Sequence, residues 1–142
     1  MSLDENKNVV RRYQDLHNAN QLEALDEVMA IDFISHAPQY PGTLAGLAGA
    51  KQSHRINLAV FPDFKVEIQD LIAEGDQVVM RFKAGGTHTG VPLFDVPPSG
   101  RRFDIEGISI FRLVNGKIVE HWAVEDELGI MSQLGLISIP PE

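Results

Sequence analysis

Tyr13 and His17 stand four residues apart, which puts both on one face of a helix, on the same stripe as Val9, Val10 and Leu16. His36 follows Phe33 at the entrance to a Pro- and Gly-rich stretch, and His88 falls in phase with Val78, Met80 and Phe82. Asp126 shares parity with Ile118, Glu120, Trp122 and Val124. Titratable groups in phase with apolar ones face an interior, where polar atoms need partners or a purpose. The purpose open to this set is proton transfer. A carboxylate in an apolar pocket can take the proton beside a carbonyl, and positioned imidazole or phenol donors can meet the oxyanion that results. Asp126 is the candidate base, and His36, His88 or Tyr13 the candidate donors. Each has a plainer use as well: an interior His can be a bonded core group, Tyr13 can be packing, and Asp126 can cap a helix beginning near Glu127. His17, Phe33, Met80 and Phe82 would line the hollow, Phe94 and Trp122 would wall it, and His54 and His121 read as surface or interface residues.

These groups must be carried by a definite set of elements. Val9 to His17 predicts a helix of about four turns with Lys7, Arg11, Gln14 and Asp15 outward. Asn20 can cap a second helix over Gln21 to Met29. Ile31 to His36 is short and ends at Ala37-Pro38, and the stretch to Gly49 reads as a loop leading into a third helix, Ala50 to Val60, stopped by Pro62. From Phe64 the period changes to 2, with Phe64, Val66, Ile68 and Ile72 on one face. Glu74-Gly75-Asp76 turns the chain into a strand over Gln77 to Thr89. Gly90 to Gly100 is too apolar for a solvated loop and predicts a flap. Arg101 to Val114 and Lys117 to Glu125 are the last strands, joined at Asn115-Gly116, where both residues tolerate positive φ. Both faces of these strands carry apolar residues, with Ile108, Ile110 and Val114 opposite Phe103, Ile105, Phe111 and Leu113, which predicts association through the sheet as a homodimer or higher homo-oligomer. Leu128 to Leu136 forms a short helix and a tail ending in Pro140-Pro141.

Composition removes several classes of function. The chain has 142 residues, enough for one domain, and 12 Lys and Arg against 20 Asp and Glu give a net charge of −8. So acidic a surface suits neither a phosphate backbone nor anionic lipid. There is no cysteine, so thiolate chemistry and disulfides are excluded. Met1 to Asn8 is polar, and no apolar run approaches the roughly 20 residues of a membrane span, so the expected location is the cytoplasm. The five histidines show no metal-ligand spacing, Gly85-Gly86 sits inside a strand and not at a phosphate loop, and GxSxG is missing. Neither metal nor cofactor is expected. Acid/base chemistry or simple binding of a small molecule remains.

The run Gly116-Lys117-Ile118-Val119-Glu120-His121-Trp122, followed by Asp126 and by Leu128 to Gly135, resembles the SnoaL-like polyketide cyclases of the nuclear-transport-factor-2-like superfamily. Asp32 to His36, Phe61 to Phe64, Gly86 to Gly90, Pro98 to Arg101 and Gly107 to Arg112 support the likeness in order and spacing over nearly the whole chain. The resemblance implies a cone-shaped α+β barrel, three N-terminal helices packed on a strongly curved antiparallel sheet around an apolar pocket. It also implies intramolecular aldol closure or isomerisation of a hydrophobic carbonyl compound without metal or cofactor, with Asp126, His36 and His88 in the matching positions. Many members of the family it resembles place an acidic residue directly after the Trp, and here that position is Ala123. The fold also hosts epoxide hydrolases, dehydratases and non-catalytic binding or association modules, which stand as the alternatives.

Overall fold

The computed structural model describes residues 1–37, 40–138 and 140. Pro38 of the loop and Pro141 of the tail, both read from the sequence, lie outside the described residues. The first helix, α1 (Leu3–Asn18), starts at a capping box: Ser2 Oγ accepts from the Glu5 N–H at 3.0 Å, and Glu5 Oε1 accepts from the Ser2 N–H at 3.2 Å. It packs against three strands of the sheet at once, so Gln14, expected outward, is buried and donates to Asn18 Oδ1.

Asn20 ends α1 rather than capping a second helix. It adopts φ 54°, its N–H bonds the His17 carbonyl at 3.0 Å, and the Gln21 N–H reaches back to Leu16 O at 2.9 Å. This pair of bonds is a Schellman stop, in which Asn is one of the few residues that tolerates the left-handed position. Beyond it the chain makes a short 3-10 helix, Leu22–Glu27, and then a strand, β1 (Met29–Ser35), in place of the expected longer helix and short unassigned segment. The next helix, α2 (Gly46–Val60), begins four residues before the predicted Ala50. Gly46 has φ 70°, and a Cβ there would meet the Ile31 carbonyl oxygen at 2.6 Å, so only glycine fits where the helix crosses β1.

Four antiparallel strands follow the expected plan: β2 (Lys65–Glu74), β3 (Gln77–Thr87), β4 (Arg102–Val114) and β5 (Lys117–Glu125), then a short helix α3 (Glu127–Gln133). Sheet order is β1-β5-β4-β3-β2. The sheet is mixed, because β1 joins β5 in parallel, where a wholly antiparallel sheet was expected. Asn115 and Gly116 have φ 49° and 78°, as the two-residue hairpin requires. The sheet curls without closing: Phe33 of the edge strand β1 and Val66 of the opposite edge strand β2 face one cavity.

Two β-bulges interrupt the period of 2. In β2, Ile68 faces Phe82 while Leu71 faces Met80, so one extra residue at Gln69 turns Leu71 and Ala73 inward and leaves Ile72 exposed, contrary to the straight alternation. In β5, Leu113 pairs with Ile118 but Arg112 with Glu120, so Val119 is the extra residue. The helices cover the concave face alone. On the other face Ile108 and Val114 are exposed, as the two-sided apolar pattern predicted, and Val124, counted inward from the sequence, is exposed there as well. Among the described residues no helix is long and apolar enough to cross a membrane.

One side chain fastens α1 to the sheet edge. Asn18 Nδ2 donates to Val66 O at 2.7 Å, and Asn18 Oδ1 accepts from Val66 N at 3.1 Å, so the amide pairs with β2 as another strand would. Replacing Asn18 by Ala leaves both backbone groups half-buried without partners, at about 1–3 kcal/mol. The expected result is a lower midpoint in urea with an unchanged slope, and an unchanged midpoint would show that the pair contributes nothing.

Candidate active site

The bulge at Val119 decides which side chains of β5 enter the hollow. Counted straight from Ile118, the inward set would be Glu120, Trp122, Val124 and Asp126. With one residue inserted it becomes His121, Ala123 and Glu125, which stand opposite Phe111, Ser109 and Gly107. His121, Ala123 and Glu125 contribute to two adjoining chambers of about 160 and 200 Å³ that share Tyr13, Gln14, Ala37, Phe64, Val66 and His121. Together they reach the lower bound of ligand pockets, about 300 Å³.

His121 is stacked on Phe111 at 4.7 Å between ring centroids and lies 6.3 Å from Phe33 on its other side. Its Nε2 and the Ser109 hydroxyl share a hydrogen bond of 3.1 Å. Burial, with a smaller effect from the charge of His36, pushes its pKa down to about 4, so the ring is neutral at pH 7 with one donor and one acceptor. His17 Nδ1–H donates to the Tyr13 carbonyl at 3.0 Å, which leaves Nε2 as its acceptor. Burial takes this ring to about 4 as well, against a smaller upward pull from that carbonyl. Its neighbour His54 lies edge-on at 4.8 Å. His54 is also depressed by burial. Its Nε2 and the nearby Ser53 Oγ are buried without partners among the described residues, and both residues line the inner chamber. Burial pushes the Tyr13 phenol up to about 12, so it stays an O–H donor.

Tyr40 donates its hydroxyl to Asn57 Oδ1, a residue of the inner chamber, at 2.8 Å. Burial and then the charge of Glu125 raise the Tyr40 pKa. Glu125, exposed along one side, is raised by desolvation and then by Glu127. The stretch expected to be a flap is fastened to the end of α2, where the Gly90 and Val91 N–H groups bond the Val60 and Ala59 carbonyls at 3.1 and 2.8 Å, and from Val91 to Gly100 only Leu93 is buried. Leu93 and Val96 exchange backbone bonds of 3.0 and 2.8 Å, and Phe94 and Asp95 form the turn between them at φ 47° and 65°. Leu93 is buried, and Phe94 is exposed with its ring 6.3 Å from Tyr40.

Of the residues expected at the site, Tyr13, His17, Phe33, Met80 and Phe82 line the chambers. Phe94 and Trp122 line neither chamber: Phe94 is exposed on its loop, and Trp122 lies on the outer face of the sheet. The three expected to converge do not. His36 is exposed on that outer face, stacked on Trp122 at 5.1 Å and bonded to Glu120 at 2.6 Å, which Arg112 also holds at 2.9 Å. His88 is buried at the base of that loop, where Nε2–H donates to Val91 O at 3.0 Å while its backbone bonds Arg101 and Gly100. Asp126 is exposed and caps α3, accepting from Gly129 N at 2.8 Å. The physical reason for Asp126 is the inserted Val119, which a straight count cannot register. His54 and His121 are correspondingly not surface residues. His54 could have been found in the sequence, since Leu47, Ala50, His54, Asn57 and Phe61 keep the 3, 4, 3, 4 spacing of a buried helical stripe.

A family model, SnoaL-like polyketide cyclase, matches residues 7–134. The chain belongs to this family. The aklanonic acid methyl ester cyclase DnrD of Streptomyces peucetius is 28% identical over 132 residues, covering 89% of this chain and 88% of that one. In three dimensions the chain is similar to IdmH of Streptomyces antibioticus, with a TM-score of 0.80 and 32% identity over 92% of this chain and 98% of the other. It is similar also to TsrD of Streptomyces laurentii, with a TM-score of 0.85 and 26% identity over 96% and 99%.

The depressed imidazoles make stability depend on pH. His17 and His121 titrate near 4 when folded and near the ordinary 6.5 when free, so below 6.5 the unfolded chain binds protons that the folded chain refuses. Stability is full above 6.5 and falls as the pH drops toward 4. A thermal melt series should show that fall, and His121→Phe should flatten it. An identical slope in the variant would mean that His121 is not held neutral by burial.

Proposed function

We propose that the chain closes a ring in a hydrophobic polyketide-type ester by an intramolecular aldol step, using its own side chains for acid/base catalysis. The observation that carries this reading is the chamber itself, an apolar hollow whose polar lining is neutral imidazole, amide and hydroxyl apart from one carboxyl group, Glu125. No Lys or Arg among the described residues lines either chamber. Such a wall takes a folded, uncharged chain and holds its reacting ends together, which supplies much of the acceleration of a unimolecular closure. The His121 and Ser109 pair and the Tyr13 phenol are donors placed to meet an enolate oxygen, each such contact lowering a barrier by up to about 3 kcal/mol. DnrD bears the name of a methyl ester cyclase, and a neutral ester suits these walls better than a free acid, whose carboxylate would be buried without a cation.

A second reading is a binding module without turnover, favoured by Ala123, which puts a methyl group beside Ser109 where an acid follows the Trp in many relatives. Aklanonic acid methyl ester separates the two. The enzyme reading expects a cyclised product of unchanged mass by chromatography and mass spectrometry, and binding with no product supports the module. The free acid should bind at least about tenfold more weakly than the ester by calorimetry, equivalent to about 1.4 kcal/mol. Equal affinity would contradict the role given to a lining without Lys or Arg.

The bare outer face supports association of two copies through the sheet. Ile108 and Val124 are register partners there, beside the Ile110 and Trp122 pair. Sedimentation should give a dimer that Ile108→Asp converts to monomer, and a monomeric native chain would remove this reading.

A further inference from the structure

Glu125 is the sole Asp or Glu among the described residues lining either chamber. The inserted Val119 turns it inward in line with His121 and Ala123, and it pairs in the ladder with Gly107. That glycine is required. A Cβ on it would run into the Phe82 ring, so the aromatic face lies against the backbone opposite Glu125 and forms apolar floor next to it. The other acids nearby are already held. Asp126 is committed to the Gly129 N–H, and Glu120 to His36 and Arg112. On Glu125 only desolvation and the like charge of Glu127 act, and both strengthen it as a base. The titratable groups around it are Tyr40 from the loop, Glu127 from α3, and His121 and Tyr13 along the chamber.

We propose that Glu125 is the catalytic residue that carries the proton in this site, from the substrate's α-carbon to the new alkoxide. The inference rests on the ring-closing reading and assigns its base. The carboxylate takes a proton from the carbon beside a carbonyl, and the C–H electron pair moves into the enolate. The enolate carbon then bonds to a second carbonyl carbon of the same molecule, whose oxygen becomes an alkoxide and takes the proton back from the Glu125 carboxyl. One C–C bond forms, one proton returns, and nothing is oxidised or reduced.

Two readouts on the full chain test this: ring closure of aklanonic acid methyl ester, and α-proton exchange of that ester in deuterium oxide followed by NMR. Glu125→Gln should lower both rates by about 10²–10⁴-fold with KM little changed, Glu125→Asp should restore part of the loss, and Asp126→Asn should match the native chain. In the native chain kcat/KM should fall on the acid side at a pH above that of an ordinary glutamate, because the base must be ionised, and Glu125→Gln should lose that limb. Exchange that disappears in Glu125→Gln without any native ring closure would support Glu125 and sink the closure reading. Exchange that persists in a folded Glu125→Gln overturns the assignment of Glu125, and a native chain that exchanges nothing overturns both.

Discussion

A single inserted residue in the last strand governs the character of the cavity. A strand alternates its side chains without exception until its ladder slips, and Val119 is where the β5 ladder slips. Upstream of it Ile118 joins the core. Downstream, the face that would have shown Glu120, Trp122 and Val124 to the hollow is turned out, and His121, Ala123 and Glu125 take its place. The same slip places His36, Glu120, Arg112 and Trp122 together on the convex side as a surface ion-pair cluster. Wall chemistry and outer surface are therefore set by one local irregularity, and every other element supports it: α1 supplies Tyr13 and His17, α2 supplies His54, and β4 supplies the ring under His121.

Apart from the Glu125 carboxyl, the pocket is polar without being charged. Burial keeps His17 and His121 neutral, and it keeps the Tyr13 phenol protonated. Each then offers a dipole whose direction is fixed by a named neighbour, such as the Tyr13 carbonyl on His17 Nδ1 or the Ser109 hydroxyl at His121. Dipoles held in place before a ligand arrives need no reorganisation when charge develops on it. The unpartnered Nε2 of His54 and Oγ of Ser53 extend this lining to the inner end.

Much of the fold was legible in the residues. The shift from a period near 3.6 to 2 at Phe64 and the positive φ at Asn115-Gly116 each had a physical signature that local chemistry cannot hide. The parallel pairing of β1 with β5 had none, since it joins segments more than eighty residues apart and depends on where α2 carries the chain. The bulges were equally silent: nothing in Gln69 or Val119 marks them as extra, and a count by twos misplaces everything beyond. So the wall residues on elements without a slip, Tyr13, His17, Met80 and Phe82, were readable, while His121 and Glu125 were not. Asn20 was misread for a different reason, because the residue types that open a helix also tolerate the left-handed turn that closes one.

The amide of Asn18 on the backbone of Val66 has a consequence outside the pocket. β2 is the last strand on its side of the sheet, and an unpaired strand invites another chain to add to it. Asn18 occupies the donor and acceptor of Val66, Lys65 and Glu67 put opposite charges on either side, and the kink at Gln69 breaks the straight run beyond. The fastening that seats a helix against the sheet thus also occupies two of the backbone groups that an added strand would need along that border.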